Sequence, residues 1–480
     1  MAVLGELQPA PVFRFFEEIS AIPRGTFDTK RISDYCVEFA RKRKLDVIQD
    51  EVNNIIIKKP GTAGYENCRP VIIQGHLDMV CEKVEGSAHD FKRDGLNLFI
   101  EDGFVKARGT TLGADDGIAV AYALAILDSG DIPHPPIEAL FTVDEEVGMG
   151  GAAALDMTPL NGTYLLNIDS DVEGTILAGC AGGFRQTFTL PLEREPGKGD
   201  VVSIEISGLR GGHSGAEIHE QRGNANKMMA RLLNRLNQKT VIRLIAINGG
   251  TKDNVITPSC KAQILADDGA EVQELTVQMA EIWKKEFQND EPSLEVTSDV
   301  IAGEAACLTR RCSDKLIFLL AAAPYGVQGE NRTLPGLVET SLNLGVISTS
   351  DSEICIIHLV RSEVTSKLEE MQEILDSWAG QMGADTEISG KYPAWAFRPD
   401  SKLRVIASDT FQRLFGKEPI ITTIHAGLEC GILSGKKPEL DCISFGPIAY
   451  DIHSVHERLD IASTMRMWEF LKAILVSCCD

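Results

Sequence analysis

Three short aliphatic runs ahead of residue 170 end in polar clusters, GHLD at 75–78, DEE at 144–146 and NID at 167–169, and a fourth cluster, GADDG at 113–117, opens a helix-like stretch. VNNIIIKK, RPVIIQGHLD, IEALFTVDEE and TYLLNIDS read as strands from their β-branched and aliphatic content, while ADDGIAVAYALAILDSG between two of them reads as a helix. Two further helices are expected at FRFFEEIS and KRISDYCVEFARKRK. Strands alternating with helices predict an α/β sheet, and such a sheet binds its ligands beyond the carboxyl ends of its strands. One polar cluster alone is an ordinary solvated strand end. Four placed in this way converge.

Converging carboxylates repel one another, so a site gathering Asp115, Glu145, Glu146 and Asp169 needs positive charge, and little local Lys or Arg supplies it. One or two divalent ions would, and imidazole together with carboxylate suits zinc or a similar first-row ion. His76 and Asp78, two residues apart on a strand, face the same way, so Asp78 can orient the imidazole. Glu145 and Glu146 are adjacent and point in different directions, which permits one to be a ligand and the other a base. Asp116 reads as a first-turn carboxylate favoured by the helix dipole.

At 480 residues the chain exceeds what one hydrophobic core usually supports. From about Phe184 the alternation gives way to strands such as FRQTFTLPLE and DVVSIEISG and an amphipathic stretch over 223–238. Near Trp395 it resumes, with SKLRVIASDTFQRLFG as a helix and ELDCISFGPI as one more core strand. The expected organisation is an α/β catalytic domain, a sheet flanked by helices, formed by residues 1–183 and 395–480, with an α+β domain inserted at 184–394. Within the insertion, NVITPSCKAQILAD at 254–267 and NLGVISTSDSEICIIHLVRS at 343–362 share an opening Asn and a following strand, which suggests two similar halves.

Acidic residues outnumber basic ones 70 to 47, a net charge of −23, so nucleic acid is disfavoured as a partner and small-molecule or peptide chemistry fits better. No apolar run approaches the roughly 18 residues of a membrane span, and the start lacks the basic and apolar regions of a secretory signal. The expected location is the cytoplasm. The 12 cysteines form no CxxC pair and are expected to be reduced and mostly structural. No P-loop, dinucleotide fingerprint or G-x-S-x-G elbow competes, since GGHSG places its serine one position off the last of these.

The ordered motifs GHLDMV, TLGADDGIA, VDEEVGMGGA, NIDS, GLRGGHSG, HAGLECG and DIHSVHE resemble the co-catalytic zinc dipeptidases of the carnosinase and aminoacylase superfamily, over nearly the whole chain. The resemblance implies two zinc ions per chain, with cobalt or manganese as substitutes. His76, Asp115 and Asp169 would hold one, Asp115, Glu146 and His453 the other, with Asp115 bridging. It further implies that Asp78 orients His76 and that Glu145 is the general base. His213 of GGHSG would reach the substrate carbonyl from the inserted domain, which acts as a lid, and Arg361 of LVRS would receive a peptide's C-terminal carboxylate. Asn254 and His219 join Arg361 as implied substrate contacts. Plainer readings stand beside these: His213 as a loop cap, Arg361 as a strand-end charge, His219 and His425 as packing residues.

The activity so implied is hydrolysis of dipeptides with a free C-terminal carboxylate, Xaa-His and beta-alanyl-histidine among them. The partners implied are a small peptide substrate and, as one arrangement, a second copy in a homodimer, with neither nucleic acid nor membrane. In single-lid relatives the lid histidine comes from a partner subunit; this insertion is long enough to suggest that His213 serves its own chain. An N-acyl-amino-acid deacylase uses the same metals and is the alternative. A non-catalytic metal-binding protein is a further one, although it has no use for Glu145. The chain departs from the family's pattern twice. HSPDE is replaced by HSVHE, which puts His456 near His453, and IPRGTFDTK replaces a PSGNE-like turn, a change expected to alter the approach to the site without touching the metals.

Overall fold

The computed structural model describes residues 3–381 and 383–479. They form two compact units, one of Met1–Cys180, Trp395–Thr423 and Leu428–Asp480, the other of Ala181–Ala394 and Ile424–Gly427.

The first unit is built on an eight-stranded sheet in the order Asp46–Gln49, Ile55–Lys59, Ile137–Thr142, Val71–His76, Tyr164–Asn167, Asp441–Ser444, Thr175–Cys180, Ile420–Ile424. Its middle four, from Ile137–Thr142 to Asp441–Ser444, run parallel. Strands covered on both faces need apolar side chains on both, which is why VIIQGH and IEALFT are buried at every position instead of alternating. The helix Ala114–Asp128 is buried continuously from Asp116 to Leu127, as its all-round apolar sequence requires. From the far end of the chain, Ile461–Ser477 closes the same core: Trp468 stacks on Tyr122, whose hydroxyl donates to the Thr464 carbonyl at 2.7 Å.

One expectation about the cysteines fails. Cys68 and Cys479 form a disulfide with Cα atoms 5.4 Å apart, and because 411 residues separate them, spacing in the sequence carries no hint of their meeting. The remaining ten are not disulfide-bonded.

The second unit is a nine-stranded antiparallel sheet with a repeated path. Arg194–Ser207, the helix Ala225–Lys239, Ile242–Gly249, Cys260–Ala266, the helix Gly269–Phe287 and Glu295–Leu308 follow one another as βαββαβ, and the strands lie in the order fourth, first, third, second. Gly182–Pro191, the helix Arg310–Ala322, Val338–Thr349, Glu353–Ser362, the helix Thr365–Gly380 and Asp385–Tyr392 trace the same path in the same order. The halves join edge to edge where Gly249 pairs with Ile347. One is nested inside the other, entering after its first strand. The sequence likeness between 254–267 and 343–362 holds only for the strands Cys260–Ala266 and Glu353–Ser362, each the third of its half. The two Asn residues are not equivalent, for Asn254 is exposed in a turn and Asn343 is buried within a strand.

Candidate functional site

The parallel strands deliver polar groups at their carboxyl ends. His76 is the last residue of its strand, Asp144 to Glu146 follow Ile137–Thr142, and Asp169 follows Tyr164–Asn167. Asp115 enters from the start of the buried helix and His453 from the turn beyond Ala449–Tyr450. A Cβ at Gly75 would lie 2.6 Å from Asp116 Oδ2, so the residue before His76 has to be glycine. Asp78 is not on the strand with His76 as expected, because the strand ends at His76. The following turn still brings its Oδ1 to 3.5 Å from His76 Nδ1.

Asp115 stands between two imidazoles, with Oδ1 3.1 Å from His76 Nε2 and Oδ2 3.2 Å from His453 Nε2. His453 Nε2 also lies 2.9 Å from Glu146 Oε2. Glu145 is set back, its Oε2 4.0 Å from His76 Nε2. His76, Asp115 and Glu146 offer donor atoms within 4.8 Å of one another, and so do His76, Asp116 and Asp169. Asp116 is therefore more than a first-turn carboxylate: it is buried, accepts the His76 N–H at 3.3 Å and belongs to the second of these groups.

The electrostatics are those of crowded acids. Burial, then the charges of Glu429, Asp115 and Glu146, push Glu145 up to about 8. Asp169 is raised well above the carboxylate range by burial and then Asp115, and Asp116 by burial and then Asp169. Asp115 goes the other way: burial opposes ionisation, but hydrogen bonds from His453 and His76 outweigh it and hold the carboxyl low. Hydrogen bonds to Asp115 and Glu146 raise His453 to about 11. Glu146 Oε1 is buried without a hydrogen-bond partner among the described residues. An imidazole and carboxylate donor set with one oxygen unengaged fits a divalent cation.

Asp78, fully buried, does two things at once. Its carboxylate accepts the Glu145 N–H at 3.1 Å and the Glu146 N–H at 3.4 Å, and its backbone carbonyl lies 3.2 Å from His76 Nδ1, so one residue fixes an imidazole and the backbone of both glutamates. Thr26 donates to it at 3.0 Å, and Arg24 donates to the carbonyls of Leu77 and Asp78 at 3.0 Å each and to that of Gly113. The departure at IPRGTFDTK thus touches none of the expected metal ligands directly, but its segment buttresses the loops that carry them.

Two carboxylates of the first unit escaped the reading of strand ends. Glu457 accepts N–H groups from Leu112, Gly113 and Ala114 at 2.7, 2.9 and 2.8 Å. Glu429, pushed up to about 7 by burial, accepts from Gln74 Nε2 and Thr142 Oγ1, both at 2.6 Å. Both lie inside quoted motifs, HSVHE extended and HAGLECG, and that was the only signal for them. Both His453 and His456 are exposed, and it is His453 that reaches Asp115.

The second unit has a cluster of its own. Gly215 lets His213, Arg361 and His425 pack together, since a Cβ there would lie 3.0 Å from His213 Cε1, 3.2 Å from Arg361 Nε and against the His425 carbonyl. His213 Nδ1 accepts from Gly215 N at 3.3 Å and Ala216 N at 3.0 Å, which leaves the ring proton on Nε2. Burial and then the charge of Arg361 lower its pKa and favour this neutral form. Arg361 is buried, donates to Tyr392 Oη at 3.1 Å and has an Nε without a partner among the described residues. His425 is bound to Ser341 Oγ at 2.7 Å and held down to about 3 by burial and then by Arg361, so it belongs to this polar cluster and not to an apolar core. His219 is exposed on the turn Ile218–Glu220, and Asn254 is exposed with its carbonyl accepting the Ser214 N–H at 2.9 Å.

Comparison with known proteins places this geometry among relatives. The pattern of Peptidase family M20/M25/M40 matches residues 72–477. The chain is 41% identical over 479 residues to the cytosol non-specific dipeptidase of Escherichia coli strain K12, covering 99% of each chain. The crystal structure of aminoacylhistidine dipeptidase from Vibrio alginolyticus matches with a TM-score of 0.92 at 37% identity, over 98% of this chain and 97% of that one. That of aminopeptidase PepT from Bacillus cereus matches at 0.57 and 18% identity, over 99% and 100%, a likeness of fold alone. The dipeptidase resemblance carried by the motifs is borne out. Among the described residues no helix is long and apolar enough to cross a membrane.

Proposed function

This chain belongs to peptidase family M20/M25/M40, and from that premise we propose that it is a metal-dependent dipeptidase acting on small peptides with a free C-terminal carboxylate. The first unit is assigned to catalysis and the second to a lid. The observation that carries the reading is Asp115 spanning His76 and His453 while Glu145 stands beside them, outside both groups of donor atoms. A protein that only stored metal would have no use for such a carboxylate.

His76, Asp115 and Asp169 would hold one zinc ion, and Asp115, Glu146 and His453 a second. When bound, two such ions polarise the scissile carbonyl and lower the pKa of the attacking water. Asp78 holds the His76 ring in one orientation through Nδ1, leaving Nε2 to face the cluster. Glu145 takes the proton of the attacking water and passes it to the leaving amine. His213, with its proton on Nε2, donates to the carbonyl oxygen as negative charge develops there. Arg361 has an Nε without a partner among the described residues, and its planar fork clamps the substrate's carboxylate by two parallel hydrogen bonds. Asn254 and His219, both exposed, are assigned to the rest of the substrate. The names of the Escherichia coli and Vibrio relatives support a cytoplasmic location and acceptance of histidine in the second position.

The test is a panel of dipeptides, their C-terminal amides, tripeptides and N-acyl amino acids, assayed with purified chain before and after chelation. Zinc-dependent cleavage of free dipeptides, with the amides cleaved poorly, is the expected result. Cleavage of N-acyl amino acids alone would make the chain a deacylase, and activity that survives chelation would remove the metal from the scheme.

A further inference from the structure

Two buried charges that take no direct part in this chemistry meet on one short loop. Arg24 and Glu457 are 2% and 3% exposed. Glu457 accepts N–H groups from four consecutive residues, Leu112 to Asp115, at 2.7, 2.9, 2.8 and 3.4 Å. Arg24 donates to the carbonyl of Gly113 in the same loop, and to those of Leu77 and Asp78. The Gly113 residue is thus held at both ends, its N–H by an anion and its C=O by a cation. It has φ 63°, and a Cβ there would lie 2.6 Å from Arg24 Nη2, so only glycine admits the arrangement. Three segments are tied together in this way: the one carrying His76 and Asp78, the loop that ends on Asp115, and the turn that runs from His453 to Glu457.

We propose that Arg24 and Glu457 are a coupled pair of positioning residues which, through the Gly113 loop, set the separation of His76, Asp115 and His453 and so the affinity of this cluster for a divalent cation. The proposal rests on the reading of the cluster as the metal centre. An amide at position 457 would turn an NH2 donor towards backbone N–H groups, and a lysine at 24 lacks the planar fork that reaches three carbonyls. Either change frees the loop. Either way the Gly113 loop is no longer fixed from both sides, so the second loss adds little to the first.

Zinc titrated into chelator-stripped protein against a chromophoric competitor tests this, with wild type, Arg24→Lys, Glu457→Gln and the double variant. Each single change is expected to weaken zinc binding by about 10- to 100-fold. The double variant should then match the weaker single, in zinc affinity and in the melting temperature of the metal-free chain alike. Additive losses, or a lowered melting temperature with unchanged zinc affinity, overturn the proposal. If the wild type binds no zinc, the reading of the cluster fails first and the proposal with it. Should the variants not fold, hydrogen exchange on the metal-free wild type decides: slow exchange from Leu112 to Asp115 is expected, and exchange at the rate of an open loop overturns it.

Discussion

Glu145 and Glu146 are chain neighbours with different surroundings, and the difference sets their expected roles. Glu146 touches His453 and shares a donor group with His76 and Asp115, while Glu145 is raised to about 8 and belongs to neither group. Glu145→Gln should leave zinc content intact and lower kcat by about 10²- to 10⁴-fold, whereas Glu146→Gln should lose zinc. Elemental analysis beside steady-state kinetics checks this, and equal metal loss in both variants would reverse the assignment. A second residue reports on pH. His358 is fully buried against the rings of Phe188 and Trp378, and burial, then the charge of Lys227, lowers its pKa from 6.5 to about 3. The folded chain keeps it neutral while the unfolded chain takes up a proton below 6.5, so stability is full above that pH and falls as pH drops towards 3. His358→Phe should therefore shrink the stability lost between neutrality and pH 5 by about 2 kcal/mol, read by denaturant unfolding at both pH values. An unchanged difference would mean that the imidazole is already protonated in the folded chain. The acids and histidines at strand ends were legible because an α/β sheet dictates where they point. Arg24, Glu429 and Glu457 were not, because their partners are backbone groups or neutral side chains far away in sequence, and no local pattern marks a buried charge satisfied by peptide groups.

Among the elements, the turn from Gly211 to Glu217 is the most exacting. Its His213 N–H donates to Glu217 Oε2 at 2.6 Å, which in turn binds Arg222 at 2.7 Å, so the imidazole is presented by a braced backbone. Gly215→Ala would drive a methyl group into the His425 carbonyl and against His213 and Arg361. A fall in kcat/KM of about tenfold or more is expected, of the size that a 1 Å misplacement produces, with zinc content unchanged because the cluster belongs to the other unit. Loss of zinc in this variant would show a wider disturbance than the turn can explain. Strands and helices were largely legible from periodicity. The equivalence of the two βαββαβ halves was visible only through their third strands, since pairing order is a property of the sheet and only faintly of the residues.

For the molecule as a whole, the acids gathered at the strand ends are a cost that a bound cation offsets. Zinc should raise the melting temperature progressively with free zinc concentration, and calorimetry across a chelator-buffered series checks it. A melting temperature indifferent to zinc would mean that the cluster is satisfied by its own protons. The nested order of the chain has a consequence for its biosynthesis. Residues 194–308 are continuous and lie inside a half that runs from Gly182 to Tyr392, which itself lies inside a unit begun at the N-terminus and finished near the C-terminus. As the chain leaves the ribosome, the innermost module is the first that can close, the module around it the second, and the outermost sheet waits for Asp441–Ser444. His453 and Glu457 emerge later still. On the proposed reading, a nascent chain carries His76, Asp115 and Glu145 long before His453 is made, and the metal cluster is complete only once that histidine has followed.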